Sequence, residues 1–289
     1  MKRSDKIFTI FITLLILSAI YIALFPTISN LFYKIQQSNT IISYTEESKQ
    51  LSEAQINKMF DDIYNYNQDL YKYWFGGTFS YQGSNKSDEK YESILNTNNG
   101  IIGYIEIPKI NLYLPIAHGT KSEDLDSMVG HMYLSSFPGT INSHAILTAH
   151  TGLASAKLFT DIDKLSNGDE FYIYILNKKL TYKIYKSNIC LPEEDYHYIQ
   201  IEPGKDLVSL YTCTPYGINS HRLIITAEHL TDKDITLNME DQSELNIGES
   251  HTLSIILFFL LLLGPLFIAI IIVLLYFRHK KRQISKDLP

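Results

Sequence analysis

Two long apolar runs constrain this chain more than any other feature of its sequence. The first occupies residues 7–25 and the second residues 253–277 of a 289-residue chain. About 20 consecutive apolar residues allow a helix to cross the roughly 30 Å hydrocarbon core of a bilayer, and both runs are of about that length. We therefore expect two transmembrane helices with one globular domain between them.

Basic residues flank both runs and predict the orientation of that domain. They are Lys2, Arg3 and Lys6 before the first run, and Arg278, Lys280, Lys281, Arg282 and Lys286 after the second. Because basic residues close to a span are retained in the cytoplasm, residues 1–6 and 278–289 are expected to be cytoplasmic tails, with residues 26–252 outside the membrane. Removing those eight bases and the acids Asp5 and Asp287 from the chain totals of 25 and 31 leaves 17 Lys and Arg against 29 Asp and Glu. The resulting net charge of −12 argues against binding to nucleic acid or to anionic lipid headgroups.

Each run also has an alternative interpretation. A basic start followed by an apolar stretch is typical of a cleaved signal peptide, but Ala23-Leu24-Phe25-Pro26 offers no small-residue cleavage site, so we favour a retained anchor. An apolar stretch with a basic tail also ends wall-anchored surface proteins. Those proteins carry an LPxTG-like pentapeptide just before the stretch, and residues 248–252 contain none.

The pattern between the runs changes from helical to strand-like. Residues 26–75 are predicted to be a helical segment, with a capping box at Ser52 and Gln55, whereas residues 76–100 are polar and glycine-containing and predict a linker or lid-equivalent loop. From Ile101 onward short strands are expected in residues 101–116, 171–175, 180–185, 207–212 and 223–228, with Asn177-Lys178-Lys179 as a hairpin turn and one brief helix over residues 154–165. This pattern favours a mainly β domain, a closed or nearly closed barrel over residues 101–232, followed by a juxtamembrane linker at 233–252.

Three residues carry the candidate chemistry. Cys213 ends an apolar strand and is followed by Pro215, and Arg222 begins the return strand nine residues later, as the only arginine between the two runs. The single use of arginine at this position suggests that a planar, permanently charged guanidinium is needed there. A thiolate nucleophile needs an imidazole to stabilise it and to protonate a leaving amine. Of the nine histidines, His150 joins a strand end to a glycine-bearing loop as Cys213 does, although the residues alone leave the others open.

The second cysteine, Cys190, precedes Leu191-Pro192, and we interpret it as a bystander on another loop. In an oxidising compartment an even pair of cysteines also allows a disulfide. Taken singly, a buried Cys is often an inert hydrophobe, and a lone Arg or His is often structural. The combination of Cys213, His150 and Arg222 favours a catalytic site over these interpretations.

Several segments resemble a known family. They are residues 103–110 (GYIEIPKI), 114–116 (LPI), 118–120 (HGT), 155–161 (SAKLFTD), 201–206 (IEPGKD), 212–217 (TCTPYG) and 221–223 (HRL), together with an LTAH strand end at His150. On these motifs residues 100–230 are similar to the sortases, membrane-bound cysteine transpeptidases of Gram-positive bacteria. The similarity is closer to the pilin-polymerising class C than to the housekeeping class, and a second span near the C-terminus is also typical of class C.

The resemblance implies a sortase-type eight-stranded β-barrel with short helices. Cys213 would attack the carbonyl after Thr in an LPxTG-like sorting signal of a pilin, His150 would act as general acid and base, and Arg222 would position the substrate and stabilise the oxyanion. A lysine amine of another pilin would resolve the thioester, and no metal or cofactor is implied. Many class C sortases also carry a lid with an Asp-Pro-aromatic motif. Residues 71–92 contain no Asp-Pro pair, and Trp74-Phe75 supplies only the aromatics.

Two other functions remain possible on the sequence alone, besides a wall-anchoring sortase of another class. A hydrolytic cysteine protease would use the same Cys and His but usually adds an Asn or Asp that orients the imidazole. A non-catalytic pilus scaffold would tolerate loss of Cys213 or Arg222, and both are present.

Overall fold

A computed structural model describes residues 3–75, 89–95, 100–230 and 235–236. Most of the expected lid-equivalent loop at 76–100 lies outside these residues, as does the expected second membrane helix at 253–277 with the flanking segments 233–252 and 278–289, apart from residues 235–236. The chain divides into two compact units, residues 1–31 with 242–289, and residues 32–241. The second unit contains the globular domain.

In the described ranges ahead of the barrel there are three helices: α1 at Arg3–Lys49, α2 at Glu53–Phe75 and α3 at Glu89–Ser93. The first apolar run lies in α1, which continues through Pro26. Among the described residues one helix, Ile10–Lys49, is long and apolar enough to cross a membrane, with a mean hydropathy of 2.3 in its most apolar window. The N-terminal run thus has the length and composition of a membrane anchor.

The predicted helical segment 26–75 is interrupted between α1 and α2, and the capping box is confirmed at that break. The Ser52 N–H donates to Gln55 Oε1 at 2.9 Å, and the Gln55 N–H donates to Ser52 Oγ at 3.3 Å. These bonds satisfy two donors that a helix start otherwise leaves open. The helix that follows buries one face, as its apolar spacing predicts. Its buried residues are Ile56, Ile63, Tyr66, Asn67 and Leu70.

Nine strands follow within the residues that the structure describes: β1 Ile101–Ile107, β2 Leu112–Ala117, β3 Val129–His131, β4 Ser143–Thr148, β5 Glu170–Ile175, β6 Lys178–Cys190, β7 Asp206–Thr214, β8 His221–His229 and β9 Ile235–Thr236. Their order is β5-β1-β2-β3-β4-β7-β8-β6-β9, and β5 also pairs with β6. Eight strands therefore close into a ring, with β9 added to β6. The predicted eight-stranded barrel is confirmed. Short helices connect the strands: α4 at Ser122–Leu125 and 3-10 helices at Pro108–Ile110, Leu158–Lys164 and Pro192–His197.

Several local expectations need correction. The predicted helix at 154–165 is a 3-10 helix that begins only at Leu158. The hairpin turn consists of Leu176 and Asn177, because Lys178 already pairs with Ile175. Gly103 lies inside β1, so it does not interrupt the strand. A Cβ there would overlap the carbonyl oxygen of Tyr174 on the neighbouring strand, so the glycine allows β5 to approach.

Two helices are fixed to the barrel by buried polar side chains. Asn67 of α2 is fully buried; its Nδ2 donates to the Phe137 carbonyl at 2.7 Å, and its Oδ1 accepts from the Phe137 N–H at 2.9 Å. Tyr44 of α1 donates to the Ile102 carbonyl at 2.9 Å and accepts from the Leu176 N–H at 2.8 Å. In each case the helix satisfies backbone groups of the barrel that water cannot reach.

We expect Asn67→Ala to lower the free energy of unfolding by about 2–4 kcal/mol, because the buried N–H and C=O of Phe137 both lose their partner. The measurement is chemical denaturation of the full chain in detergent micelles, followed through the fluorescence of Trp74, the chain's single tryptophan. Asn65→Ala is the matched control, because Asn65 is exposed on the same helix and alanine is the better helix former there. Equal unfolding midpoints for the two variants would contradict the role of Asn67.

Candidate active site

Parallel pairing of β4 with β7 brings His150 and Cys213 to the same edge of the barrel. The ladder runs to Thr148 opposite Tyr211, and His150 and Cys213 each follow two residues beyond that last pair. Two hydrogen bonds extend this contact past the last ladder pair. The Ala149 N–H donates to the Tyr211 carbonyl at 3.3 Å, and Thr212 Oγ1 donates to the Ala149 carbonyl at 2.7 Å.

Arg222 lies directly opposite Cys213 in the antiparallel β7–β8 pair. Directly opposed residues in such a pair present their side chains on the same face, with Cβ atoms about 5 Å apart. The nine-residue spacing predicted this meeting of the two residues across the hairpin. The three residues singled out from the sequence therefore lie at one edge of the barrel.

The Arg222 guanidinium is held by three hydrogen bonds. Its Nε donates to the Tyr211 hydroxyl at 3.1 Å, and its Nη1 donates to the carbonyls of Asn219 at 3.3 Å and His221 at 3.2 Å. Among the residues that the structure describes, Nη2 has no hydrogen-bond partner. That donor is available to a ligand.

Two further residues of the site, Tyr211 and Asp195, were missed from the sequence. The Tyr211 hydroxyl donates to Asp195 Oδ2 at 2.6 Å. Burial, and then the bond to Asp195, holds the pKa of Tyr211 above its usual range, so the phenol keeps its proton. Tyr211 stands two positions before Cys213 on the same strand and hence on the same face, which is the signal that would have found it.

His150 has a fixed backbone and an exposed side chain. Its carbonyl accepts from the Phe159 N–H at 3.1 Å, which ties it to the 3-10 helix at Leu158–Lys164. Its imidazole has no hydrogen-bond partner within the described ranges, so the Asn or Asp that orients the histidine of a cysteine protease is not seen there. The ring of Tyr216, from the β7–β8 loop, lies against Gly152, where a Cβ would stand 3.3 Å from a ring carbon.

The expectation that Cys190 lies on another loop is wrong. Cys190 is the last residue of β6, is only 4% exposed and pairs with Arg222 on the opposite side of β8 from Cys213. Both cysteines are free thiols. Two strand spacings place their Cα atoms about 10 Å apart, beyond the roughly 7 Å limit for a disulfide. Burial, followed by the charges of Asp195 and Glu194, raises the pKa of the Cys190 thiol.

A cavity of about 740 Å³ lies beside the Tyr211–Asp195 pair, since Asp195 is one of its lining residues, whereas Cys213, His150 and Arg222 do not line it. Its lining includes His144 and Ile146 of β4, Glu193 and Asp195 of the 3-10 helix at Pro192–His197, and Trp74 at the end of α2. The volume falls in the usual range for ligand sites. Among the described residues no group of three or more His, Cys, Asp or Glu side chains is placed to hold a metal ion.

Comparison with known proteins gives a consistent picture. A family model described as the sortase domain matches residues 105–230. The chain is 33% identical over 132 residues to sortase D of Bacillus subtilis, covering 45% of this chain and 64% of that protein. It is 31% identical over 157 residues to sortase A of Streptococcus agalactiae, covering 52% and 63%. The chain thus spans less than two thirds of these curated relatives.

Solved structures give fuller coverage. The crystal structure of sortase C1 from Streptococcus agalactiae is similar with a TM-score of 0.61 and 36% identity, over 66% of this chain and 98% of that one. Clostridium perfringens sortase C, in a structure with the C-terminal cell wall sorting motif, is similar with a TM-score of 0.56 and 41% identity, over 66% and 98%.

We expect Cys213 in the native chain to react with iodoacetamide at least about tenfold faster than Cys190, because Cys213 is partly exposed whereas Cys190 is buried with a raised pKa. Mass spectrometry of alkylated peptides measures both rates, and denatured protein provides the reference in which the rates converge. The rate of Cys190 labelling should rise only in more alkaline solution, because a thiol with a raised pKa forms its reactive thiolate at a higher pH. Equal native rates, or a disulfide found without reductant, would contradict this arrangement.

Proposed function

Because this chain belongs to the sortase family, we propose that it is a cysteine transpeptidase of the class C type, which joins pilin subunits into pili. The observation that carries the proposal is the register of β4, β7 and β8, which brings His150, Cys213 and Arg222 to one edge of the barrel. The similar solved structures of sortase C enzymes support the class.

The proposed reaction proceeds through a thioester. The Cys213 thiol passes its proton to His150, and the sulfur attacks the carbonyl carbon of the Thr in an LPxTG-like sorting signal, so that an electron pair of the C=O bond moves onto the oxygen. As the carbonyl re-forms, the bond to the following glycine breaks and His150 gives its proton to the departing amine. A lysine amine of another pilin then attacks the thioester, His150 accepts a proton, and an isopeptide bond replaces the carbon–sulfur bond.

Arg222 would stabilise the negative oxygen formed in both steps. Its Nε and Nη1 are fixed by the protein, while Nη2 has no partner within the described part of the chain. A donor held in place before the reaction stabilises a developing oxyanion without reorganisation at the moment of attack.

The adjoining cavity suits the apolar part of a sorting signal. Its lining combines apolar side chains such as Ile146 and Trp74 with the carboxylates of Glu193 and Asp195. We propose that the leucine and proline of the signal bind there. The presence of a sorting motif in the structure of Clostridium perfringens sortase C is consistent with this assignment.

A second candidate is a sortase that attaches proteins to an amine of the cell wall. The curated relatives bear the names sortase D and sortase A, which favours keeping this possibility. The chemistry at Cys213 would be the same, and only the acceptor amine would differ.

We further propose that the enzyme is held in the plasma membrane by two spans, residues 7–25 and 253–277, with the catalytic domain outside. The apolar helix at Ile10–Lys49 supports the first span. The basic residues outside both runs and the acidic segment between them support the orientation.

Cys213→Ala should abolish cleavage of an LPxTG-type peptide by the full chain in detergent micelles, a loss of at least about a thousandfold, whereas Cys190→Ala should retain most activity. Mass spectrometry should detect a thioester on Cys213, consumed faster when a lysine-bearing pilin peptide is added than with a cell-wall-type amine. Faster transfer to the cell-wall amine would favour the second candidate. Cleavage that is indifferent to any amine would show a protease instead.

Protease added to intact protoplasts should digest residues 26–252 and leave both basic tails protected, because only the central domain faces outward in the proposed topology. Immunoblots against epitopes at each terminus and in the barrel provide the measurement. Permeabilised protoplasts are the control in which all three epitopes should disappear. Protection of the barrel epitope in intact protoplasts would overturn the orientation.

A further inference from the structure

A chain of two hydrogen bonds links the guanidinium of Arg222 to the wall of the cavity. Arg222 Nε donates to the Tyr211 hydroxyl at 3.1 Å, and that hydroxyl donates to Asp195 Oδ2 at 2.6 Å. We infer that Tyr211 and Asp195 are positioning residues, which orient Arg222 toward the reacting carbonyl and connect it to the substrate cavity. This inference rests on the proposed function of the same site.

The direction of the hydrogen bonds is fixed by the chemistry of the three groups. A guanidinium can only donate, and an ionised carboxylate can only accept. The phenol between them has one proton, which goes to Asp195 and leaves an oxygen lone pair for Arg222. Because Arg222 can only donate and Asp195 can only accept, the orientation of the Tyr211 O–H bond is fixed. Any rotation of that hydroxyl would break one of the two hydrogen bonds.

The remaining bonds of Arg222 cannot replace this chain. Its Nη1 donates to Asn219 and His221, which are close neighbours in sequence at the start of β8. Of the hydrogen bonds that the Arg222 side chain makes within the described residues, the one from Nε reaches β7, the strand of the nucleophile. Tyr211 is therefore the residue that fixes the guanidinium relative to Cys213.

With a phenol between the arginine and the carboxylate, the positive charge of the guanidinium is not compensated by a carboxylate in direct contact. A direct Arg–carboxylate pair commonly uses two N–H donors and places opposite charges in contact. Here the link to the carboxylate uses only Nε, and the Tyr211 hydroxyl lies between the two charged groups. The guanidinium is oriented by a negative charge without a contact ion pair, so its charge remains available to an oxyanion.

Asp195 gives the chain its connection to substrate. It belongs to the 3-10 helix at Pro192–His197 and lines the 740 Å³ cavity. The same residue thus contacts the space proposed for the sorting peptide and holds the tyrosine that orients Arg222. Filling the cavity and ordering the arginine are expected to be coupled.

The Arg222 Nε–H provides a test that does not depend on activity. The full chain contains only three other arginines, Arg3, Arg278 and Arg282, so the Nε signals in a ¹⁵N NMR spectrum are few and Arg222→Lys identifies the one of interest. In Tyr211→Phe we expect the Nε–H of Arg222 to exchange with water at least about tenfold faster. Asp195→Ala should act similarly, and Asp195→Asn less strongly, because its amide oxygen still accepts a hydrogen bond.

Peptide cleavage supplies the functional readout. Tyr211→Phe should lower kcat at least about tenfold while KM changes less than about threefold, as expected for an interaction used in the transition state, and Asp195→Ala should lower kcat by a similar factor. The double variant should be no worse than the poorer single variant, because the two residues act through one chain of bonds.

Two matched controls separate this role from general loss of a hydroxyl or a carboxylate. Tyr185→Phe removes a phenol that donates to Glu202 at 3.3 Å, a tyrosine–carboxylate pair outside the site. Glu194→Gln removes an exposed carboxylate next to Asp195. Both should stay within about twofold of the parent enzyme. Thermal unfolding will show whether Tyr211→Phe is folded. If it is not, Asp195→Asn and Asp195→Ala provide the same test.

The outcomes distinguish the two proposals. An inactive parent chain whose Arg222 Nε–H is protected would overturn the proposed function and leave the hydrogen-bond chain in place. An active parent chain whose kcat is unchanged by Tyr211→Phe and Asp195→Ala would overturn the positioning role. Loss of kcat together with loss of Nε–H protection supports it.

Discussion

The parallel contact between β4 and β7 is the constraint on which the site depends. Had these strands been antiparallel, the end of β4 would lie beside the start of β7, roughly 20 Å from the cysteine. Parallel neighbours cannot be joined by a tight turn and need a long crossover. The crossover here contains β5, β6 and two 3-10 helices, one of which binds the His150 carbonyl while the other contributes Asp195. The long crossover that parallel pairing requires therefore also contributes residues that surround the site.

The helices outside the barrel serve the same edge. Asn67 fixes α2 to the backbone of Phe137, and two turns further along that helix Trp74 lines the cavity. Residues 132–136, which also line the cavity, lead directly to Phe137. A buried amide that makes all its bonds in one arrangement selects that arrangement over a slipped one. The hydrogen bonds between Asn67 and Phe137 thus fix the position of Trp74, near the end of α2, at the cavity.

The sequence predicted those parts of the structure that follow from local pattern. Cys213 and Arg222 could be paired because Pro215 and Gly217 mark a turn between two apolar strands, and the number of short strands pointed to a barrel. His150 rested more on the family resemblance than on spacing. Asp195 could not be found, because its partner Tyr211 lies sixteen positions away across a segment without periodicity. Cys190 was misplaced because a bulge near Ile184 and Lys186 breaks the alternation of β6.

The contact between Tyr216 and Gly152 joins two loops that belong to different strands. The loop after β4 carries the histidine, and the loop after β7 begins beside the cysteine. Because an aromatic ring lies against a residue that has no side chain, a displacement of either loop changes its contact with the other. Their fluctuations should therefore be correlated, so that the cleft widens by a concerted movement of both loops. The geometry between imidazole and sulfur would then persist while the cleft opens and closes.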